Sequence, residues 1–518
     1  MEGSDTALGM AALLGLLTAI ALFATLSRRL RVPYPMLMVV GGLVLGFIPG
    51  IPRLAMPPDL VLLIFLPPIL MGAAYFTSLR DLRANLAPIG LLAVGLVVVT
   101  TLAVGWVAHT LAPDIGWPAA FALGAIVSPP DAVAATAVAN RLGLPRRLVV
   151  ILEGESLVND ATALTAYGIA VAAAGAATFT IGGAALDLAY VTVAGVAIGA
   201  VVGAVVIWIE GRLDDAPVEV LVSLIAPFAA YLPAEEIGAS GVLAAVTTGL
   251  LLGRWSPRVL TSASRTLGLA VWQMMIFLIN AAIFVLIGLQ LPVVLAEAER
   301  PIGQLLLVAA AVAITAIVVR LAWVLVTGKV VGDLVTGRRD ATWRSSFVVG
   351  WAGMRGAISL ALALAINERV IPARDLILFA TFGVILATLV GQGLTLPFVI
   401  RVLGIRSTGE DGREDALARV AATEAALRRL DELDEELPDH RPLIEQLRER
   451  YRHRGEHLPA VGDEEADREL LEHQQIRQSV LEAERGVLIE LRDRGVIADD
   501  VLHVIQREID LDQLRTEA

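Results

Sequence analysis

Three carboxylates fall within one short apolar stretch, Glu153-Gly154-Glu155-Ser156-Leu157-Val158-Asn159-Asp160, and a fourth, Asp131, follows Ser128-Pro129-Pro130 in the apolar stretch before it. Acids at hydrocarbon depth cost about 2.5–3.5 kcal/mol each on insertion scales, and they are retained where they handle ions or protons. On a helix rising about 1.5 Å per residue from an end near Leu148, Glu155 lies roughly 10 Å and Asp160 roughly 18 Å into a core ~30 Å thick. Ser156 and Asp160 are four apart and share a helix face, and Glu155 and Asn159 share the adjacent one. Oxygens from Ser156, Asn159 and Asp160 on about one turn would suit a small, hard cation.

Pro129 and Pro130 have no N–H to donate, so the carbonyls of Ala125 and Ile126 should be released beside Asp131. Freed carbonyls at membrane depth must face protein, water or an ion; a proline kink without function is the alternative. Something must also offset the buried acids. Arg355 is expected to pair with Glu155, leaving Asp160 free to titrate, and Arg320 is the other base at depth. The alternative is a charge-neutral network that only joins helices.

The elements that carry these residues are membrane helices. The chain has 518 residues, of which 56% are hydrophobic, with a mean hydropathy of +0.73; a soluble domain is nearer ~45–50% apolar. About thirteen spans follow if each needs roughly 17–25 apolar residues. Span 5 is placed over 117–139, span 6 over 148–174 and span 12 over 346–367. Loops after odd-numbered spans hold most of the basic residues, among them Arg28, Arg29, Arg146, Arg147, Arg212 and Arg258. Those after even-numbered spans hold only Arg53, Arg300, Arg369 and Arg374. Basic loops stay in the cytoplasm, which predicts a multi-pass protein of the cell membrane with its N-terminus outside and its C-terminus inside. The first span has Glu2 and Asp5 before it and arginines after it, unlike a removable signal peptide.

Two domains are expected, a transmembrane domain over 1–403 and an acidic, helical cytoplasmic domain over 404–518. The 30 acidic and 17 basic residues after Gly404 account for the overall charge of −12. Apolar residues recur at helical spacing there, at Val480, Val487 and Leu491 and at Val501, Ile505 and Ile509. That tail reads as a solvated helical hairpin, or as a regulatory or dimer-stabilising module whose ligand the sequence does not name. Arg448, Arg450, Arg452 and Arg454 are interleaved with acids, which argues against a nucleic-acid partner. With no cysteine in the chain, disulfides, thiolate metal sites and cysteine nucleophiles are excluded. A soluble-type enzyme is not expected, because charged catalytic clusters are absent outside the tail.

A faint internal repeat joins the two halves. Gly42-Leu-Val-Leu-Gly46 in span 2 recurs as Gly249-Leu-Leu-Leu-Gly253 in span 9, and these spans run in opposite directions. Spans 5 and 12 form a second such pair, interrupted by Pro129-Pro130 and by Gly353-Met354-Arg355-Gly356. Inverted repeats with broken helices in matching positions are the sequence signature of secondary transporters, with the ion site between the breaks. Each glycine pair taken alone reads as close helix packing.

Glu155-Ser156-x-x-Asn159-Asp160, Ser128-Pro129-x-Asp131-x-Val133-Ala134 and Gly353-Met-Arg-Gly-Ala-Ile-Ser359 resemble the monovalent cation/proton antiporters of the CPA1 group, the NhaP-type proteins and eukaryotic sodium/proton exchangers. Leu66-Pro67-Pro68-Ile69-Leu70, Phe277-Leu278-Ile279-Asn280 and Gly288-Leu289-Gln290 extend the similarity, which covers about 10–403. The resemblance implies an all-α membrane fold of thirteen helices, with a dimerisation domain and a moving core, working as a homodimer. It implies that Asp160 is the ion- and proton-binding acid, Ser156 a cation ligand and Asn159 the mark of the electroneutral subgroup. Asp131 would organise the crossover region, Glu155 and Arg355 would form a structural ion pair, and the metal ligands would be Asp160, Ser156 and Asp131. Two departures bear on the cation. Pro130 stands where many relatives have Thr, keeping the backbone carbonyl and losing the side chain, and Gly72 stands where exchangers often place an acid.

If Asp160 holds a proton or a cation but not both, and moves with the core, exchange is obligatory and one for one. The transported ions, Na⁺, Li⁺ or K⁺ against H⁺, are then the only small molecules required, with membrane lipid around the helices and no cofactor. Histidine is a poor rival for the proton role, since His109 lies toward the outer end of span 4 and the other five are in the tail. A cation channel would need similar acids, but one central carboxylate and a broken pair suit alternating access better. A proton-coupled organic-solute carrier would need a pocket rich in aromatics or arginines.

Overall fold

The computed structural model describes residues 2–30, 32–49, 61–175, 181–296, 298–334, 343–367, 370–371, 373–405, 410–456, 464–494, 496, 501, 505–506 and 509. Arg53, Arg369 and the side chain of Arg454 lie outside them. The chain separates into two compact units, Met1–Arg406 and Ser407–Ala518.

The first unit is built of helices, with no strand among its described residues. Its elements are α1 (Glu2–Leu30), α2 (Tyr34–Gly46), α3 (Leu66–Phe76), the short α4 (Leu79–Ala84) and α5 (Leu86–Leu111), which contains a π-helical stretch at Leu91–Leu96. They continue with α6 (Gly116–Val127), α7 (Ala132–Leu142), α8 (Arg146–Gly175), α9 (Ile181–Glu210), α10 (Ala216–Glu236) and α11 (Gly241–Val259). Then come α12 (Ser262–Ala296), α13 (Ile302–Leu334), α14 (Trp343–Trp351), α15 (Ala357–Leu364) and α16 (Arg374–Leu403), the last π-helical at Leu386–Gln392.

Among the described residues, eight of these helices contain a segment long and apolar enough to cross a bilayer, in α1, α5, α8, α9, α10, α12, α13 and α16. Shorter apolar helices occur at Tyr34–Gly46, Leu63–Phe76 and Pro113–Val127. Large apolar side chains such as Leu186, Val193, Val201 and Trp208 on α9, and Ile314, Val318 and Val326 on α13, are more than half exposed. Such belts would be an aggregation liability in water and are at home in lipid. The protein is a multi-pass, all-α membrane protein.

Glycines set how closely the helices approach. The backbone of Gly42 lies against Val285 of α12, and Gly288 of α12 lies against Val39 and Leu43 of α2. Gly249 and Gly253 of α11 face the carbonyls of Met71 and Tyr75 on α3 in the same way. The two similar glycine pairs therefore do the same work, letting backbones touch where a Cβ would intervene. Gly72 sits against Trp272 and Ile276 of α12 and is not on the wall of the main cavity.

Two expected spans are not continuous. After α6 the residues 128–131 are not helical, and α7 restarts at Ala132 with Asp131 as its N-cap, the carboxylate accepting from Val133 N at 2.8 Å. Gly143, at φ +63°, ends α7 in the left-handed conformation that glycine accepts without strain. Likewise α14 stops at Trp351 and α15 begins at Ala357, leaving Ala352–Gly356 outside helix. The two interruptions meet, because Asp131 N donates to the Met354 carbonyl at 2.6 Å.

In the second unit, α17 (Glu410–Glu436) and α18 (Arg441–Glu456) pack together, and α19 (Glu464–Asp493) follows. Leu430 and Ile444 are buried, and Arg448 of α18 reaches Asp431 of α17 at 3.0 Å. Arg448 thus serves an internal ion pair.

Candidate functional site

A cavity of about 530 Å³ is walled by residues of α2, α3, α7, α8, α12 and α15 and by both interruptions. Pro129, Pro130 and Asp131 come from the first interruption and Gly356 from the second; Glu153, Ser156 and Asp160 come from one face of α8, and Asn280 of α12 and Ser359 of α15 also line it. The structure therefore brings Asp131, Pro130, Ser156 and Asp160 onto one wall. Asp160 is 4% exposed, and among the described residues no arginine, lysine or histidine lines the cavity beside it.

Asn159, on the neighbouring face of α8, is fully buried behind that wall and donates from Nδ2 to the Pro130 carbonyl at 3.1 Å. It ties α8 to the first interruption, while its Oδ1 is buried without a hydrogen-bond partner. Asp131 spends one oxygen on the α7 cap; its other oxygen lies directly against the Cα of Gly356, where a Cβ would collide with it. The two interruptions are thus locked by a backbone bond, a cap and a glycine contact.

Two carbonyls at the end of α6 find partners. Ser128 satisfies Ala125, with its Oγ donating to that carbonyl at 2.9 Å. The carbonyl of Val127 accepts from Arg355 Nε at 2.9 Å, and Arg355 NH1 donates to the Gly353 carbonyl. Arg355 N in turn donates to Thr388 Oγ1 at 3.1 Å. The arginine stitches the loose ends of both interruptions together.

That role corrects the pairing expected from the sequence. Glu155 is bound by Arg320, not Arg355: NH1 and NH2 of Arg320 meet Oε1 and Oε2 at 2.5 and 2.8 Å in a bidentate fork. Arg320 also donates to the carbonyls of Gly350 at 3.2 Å and Val349 at 3.1 Å, at the end of α14. Both partners are about 1% exposed. The physical reason lies in shape. Arg320 lies flat on Gly353, where a Cβ would strike its Cδ and Nε, and from there its planar fork matches a carboxylate. Arg355 is aimed the other way, into carbonyls that would otherwise be orphaned.

Arg320 is the functional side chain that sequence reasoning did not assign, beyond noting its depth. It sits in the continuous apolar helix α13 with no motif around it, and only its being a base at depth could have pointed to it. Glu153, Asn280 and Ser359 also reach the cavity without having been singled out as site residues.

Residues 16–402 match the family described as sodium/hydrogen exchanger, transmembrane. An uncharacterized Na⁺/H⁺ exchanger of Mycobacterium tuberculosis is 35% identical over 98% of this chain and 96% of its own. The Na⁺/H⁺ antiporter ApNhaP of Aphanothece halophytica is 33% identical over 77% of this chain and 75% of its own. The structure of the sodium proton antiporter MjNhaP1 of Methanocaldococcus jannaschii at pH 8 shares the fold, with a TM-score of 0.60 at 20% identity over 77% of this chain and all of that one. The protein is thus a multi-pass helical membrane protein that shares this fold, and it belongs to the transmembrane sodium/hydrogen exchanger family.

Proposed function

We propose that this protein exchanges a monovalent cation for H⁺, with Na⁺ the foremost candidate and Li⁺ or K⁺ its competitors. The observation that carries the reading is the Asp160 carboxylate, almost wholly buried on a cavity wall with no basic side chain beside it among the described residues. The acid one turn before it is already answered. Glu155 is neutralised by Arg320, and the guanidinium of Arg355 is taken up by the carbonyls of Val127 and Gly353. Asp160 is the most deeply buried acid lining the cavity, in a low-dielectric setting. Such a charge is costly alone, and either one proton or one cation discharges it.

Competition for that carboxylate makes the exchange electroneutral, one cation for one proton. Asn159 supports this stoichiometry, since a neutral amide stands where a second acid would double the charge. Ser156, the Pro130 carbonyl and Asp131 complete the cation's oxygens, with Asp160 as the anionic ligand. Movement by alternating access follows from the two interrupted spans, which act as the fifth and twelfth of thirteen and cross at the Asp131–Met354 bond. The matched contacts of α2 on α12 and of α11 on α3 support an inverted repeat, because each glycine pair packs on the other half's counterpart.

The transport domain is residues 1–403, and 404–518 form a cytoplasmic helical domain awaiting an unidentified regulatory ligand. The basic loops orient the N-terminus outside and the C-terminus in the cytoplasm of a cell membrane. We place the protein there as a homodimer serving pH homeostasis. In everted membrane vesicles, Asp160→Asn should abolish Na⁺-driven collapse of a pre-formed pH gradient while the protein remains inserted at wild-type level. Retained collapse would reject the reading.

A further inference from the structure

A second acidic site lies away from the transport cavity, at the end of the bundle where α9 turns into α10 and α11 into α12. Glu210 is the last residue of α9 and is 4% exposed; Glu219, in the first turn of α10, is 2% exposed. Both line a cavity of about 20 Å³, room for one water-sized sphere. Both carboxylate oxygens of Glu219 are buried and have no hydrogen-bond partner.

Among the described residues no ion pair answers either carboxylate. A buried, unpartnered carboxylate loses its hydration and gains nothing in return. Glu219 draws some support from the N-terminus of α10, but Glu210 sits at the C-terminus of α9, where the helix dipole opposes a negative charge. Arg265 is the one basic residue lining the cavity among the described residues, and it is exposed and committed to the Leu260 carbonyl at 2.5 Å. Oxygen donors are at hand nonetheless. Tyr75, whose hydroxyl donates to Ser256 Oγ at 2.8 Å, lines the cavity with Ser223 and Ser264. Two carboxylates and neutral hydroxyl oxygens around a sphere of this size match the ligand set of a hard divalent cation. A monovalent ion would leave one carboxylate unanswered.

We propose that Glu210 and Glu219 hold a hard divalent cation of the Ca²⁺ or Mg²⁺ type, distinct from the transported ion, clamping the α9–α10 turn to the α11–α12 turn. The proposal is independent of Asp160. The test is equilibrium dialysis of the full-length protein in lipid nanodiscs against ⁴⁵Ca²⁺, with 100-fold excess Na⁺ over Ca²⁺ to fill the transport site and Mg²⁺ as a competitor. One bound Ca²⁺ per chain is expected, displaced by Mg²⁺, kept in Asp160→Asn and weakened at least tenfold in Glu219→Gln and in Glu210→Gln. No binding by the wild type, as two acids sharing a proton would give, overturns it. So does binding that Asp160→Asn loses or that both Gln variants keep. Should neither Gln variant fold, thermal unfolding of the wild type decides: Ca²⁺ should raise Tm where choline chloride of equal ionic strength does not, and an unchanged Tm refutes the site.

Discussion

The Arg320–Glu155 pair should be the most strongly coupled pair of side chains in the membrane unit. Two charge-assisted bonds of 2.5 and 2.8 Å join groups about 1% exposed, and two more bonds carry Arg320 to the end of α14. Removing one partner of such a pair strands a buried charge and costs about 3–5 kcal/mol. With an unfolding entropy near 2 cal/mol/K per residue over roughly 400 residues, that corresponds to a fall in Tm of about 4–6 °C. Glu155→Gln and Arg320→Gln should each show it. The double variant should lose much less than the sum, with a coupling of about 2–3 kcal/mol, because the second change relieves the charge the first exposed. The same cycle with Arg355 should give under about 1 kcal/mol, since Arg355 bonds to carbonyls and not to Glu155. Thermal unfolding in nanodiscs reads all five variants. Strong coupling of Glu155 to Arg355, or additive losses with Arg320, would refute the assignment.

Gly356→Ala would press a methyl into the Asp131 carboxylate, so exchange in everted vesicles should fall at least tenfold and stability by about 1–3 kcal/mol; near-normal exchange would count against the locked interruptions. Asp131→Asn should keep the α7 cap, because Asn caps nearly as well as Asp, yet weaken half-maximal Na⁺ activation by about tenfold; an unchanged Na⁺ dependence would remove Asp131 from the site. Gly288→Ala, whose methyl would meet the α2 backbone, should lower Tm by several degrees without altering the ion selectivity of what remains folded, as measured by unfolding and transport on one preparation.

The carboxylates were legible in the sequence because their signal is local. Four-residue spacing puts Ser156 and Asp160 on one helix face wherever the helix goes, and consecutive prolines stop a helix whatever surrounds them. The interruptions at 128–131 and 352–356 are of that kind, as is the apolar length of most spans. The partner of Glu155 was not legible. Arg320 is 165 residues away on a helix without breaks, and its choice depends on a glycine surface, Gly353, that exists only after α13 packs on the second interruption. Arg355 looked the better partner because it lies in the broken span 12, but the carbonyls of Val127 and Gly353 claim it first. The same holds for Ala125: proline chemistry frees its carbonyl, and Ser128, three residues on, recaptures it. Local chemistry announces what is released and tertiary packing decides what receives it.

The most direct test of the shared carboxylate is proton release on cation binding. Purified protein in a weakly buffered detergent solution should release about one H⁺ for each Na⁺ bound, and Asp160→Asn should release none. Na⁺ binding without proton release in the wild type, or equal release from Asp160→Asn, would contradict the account.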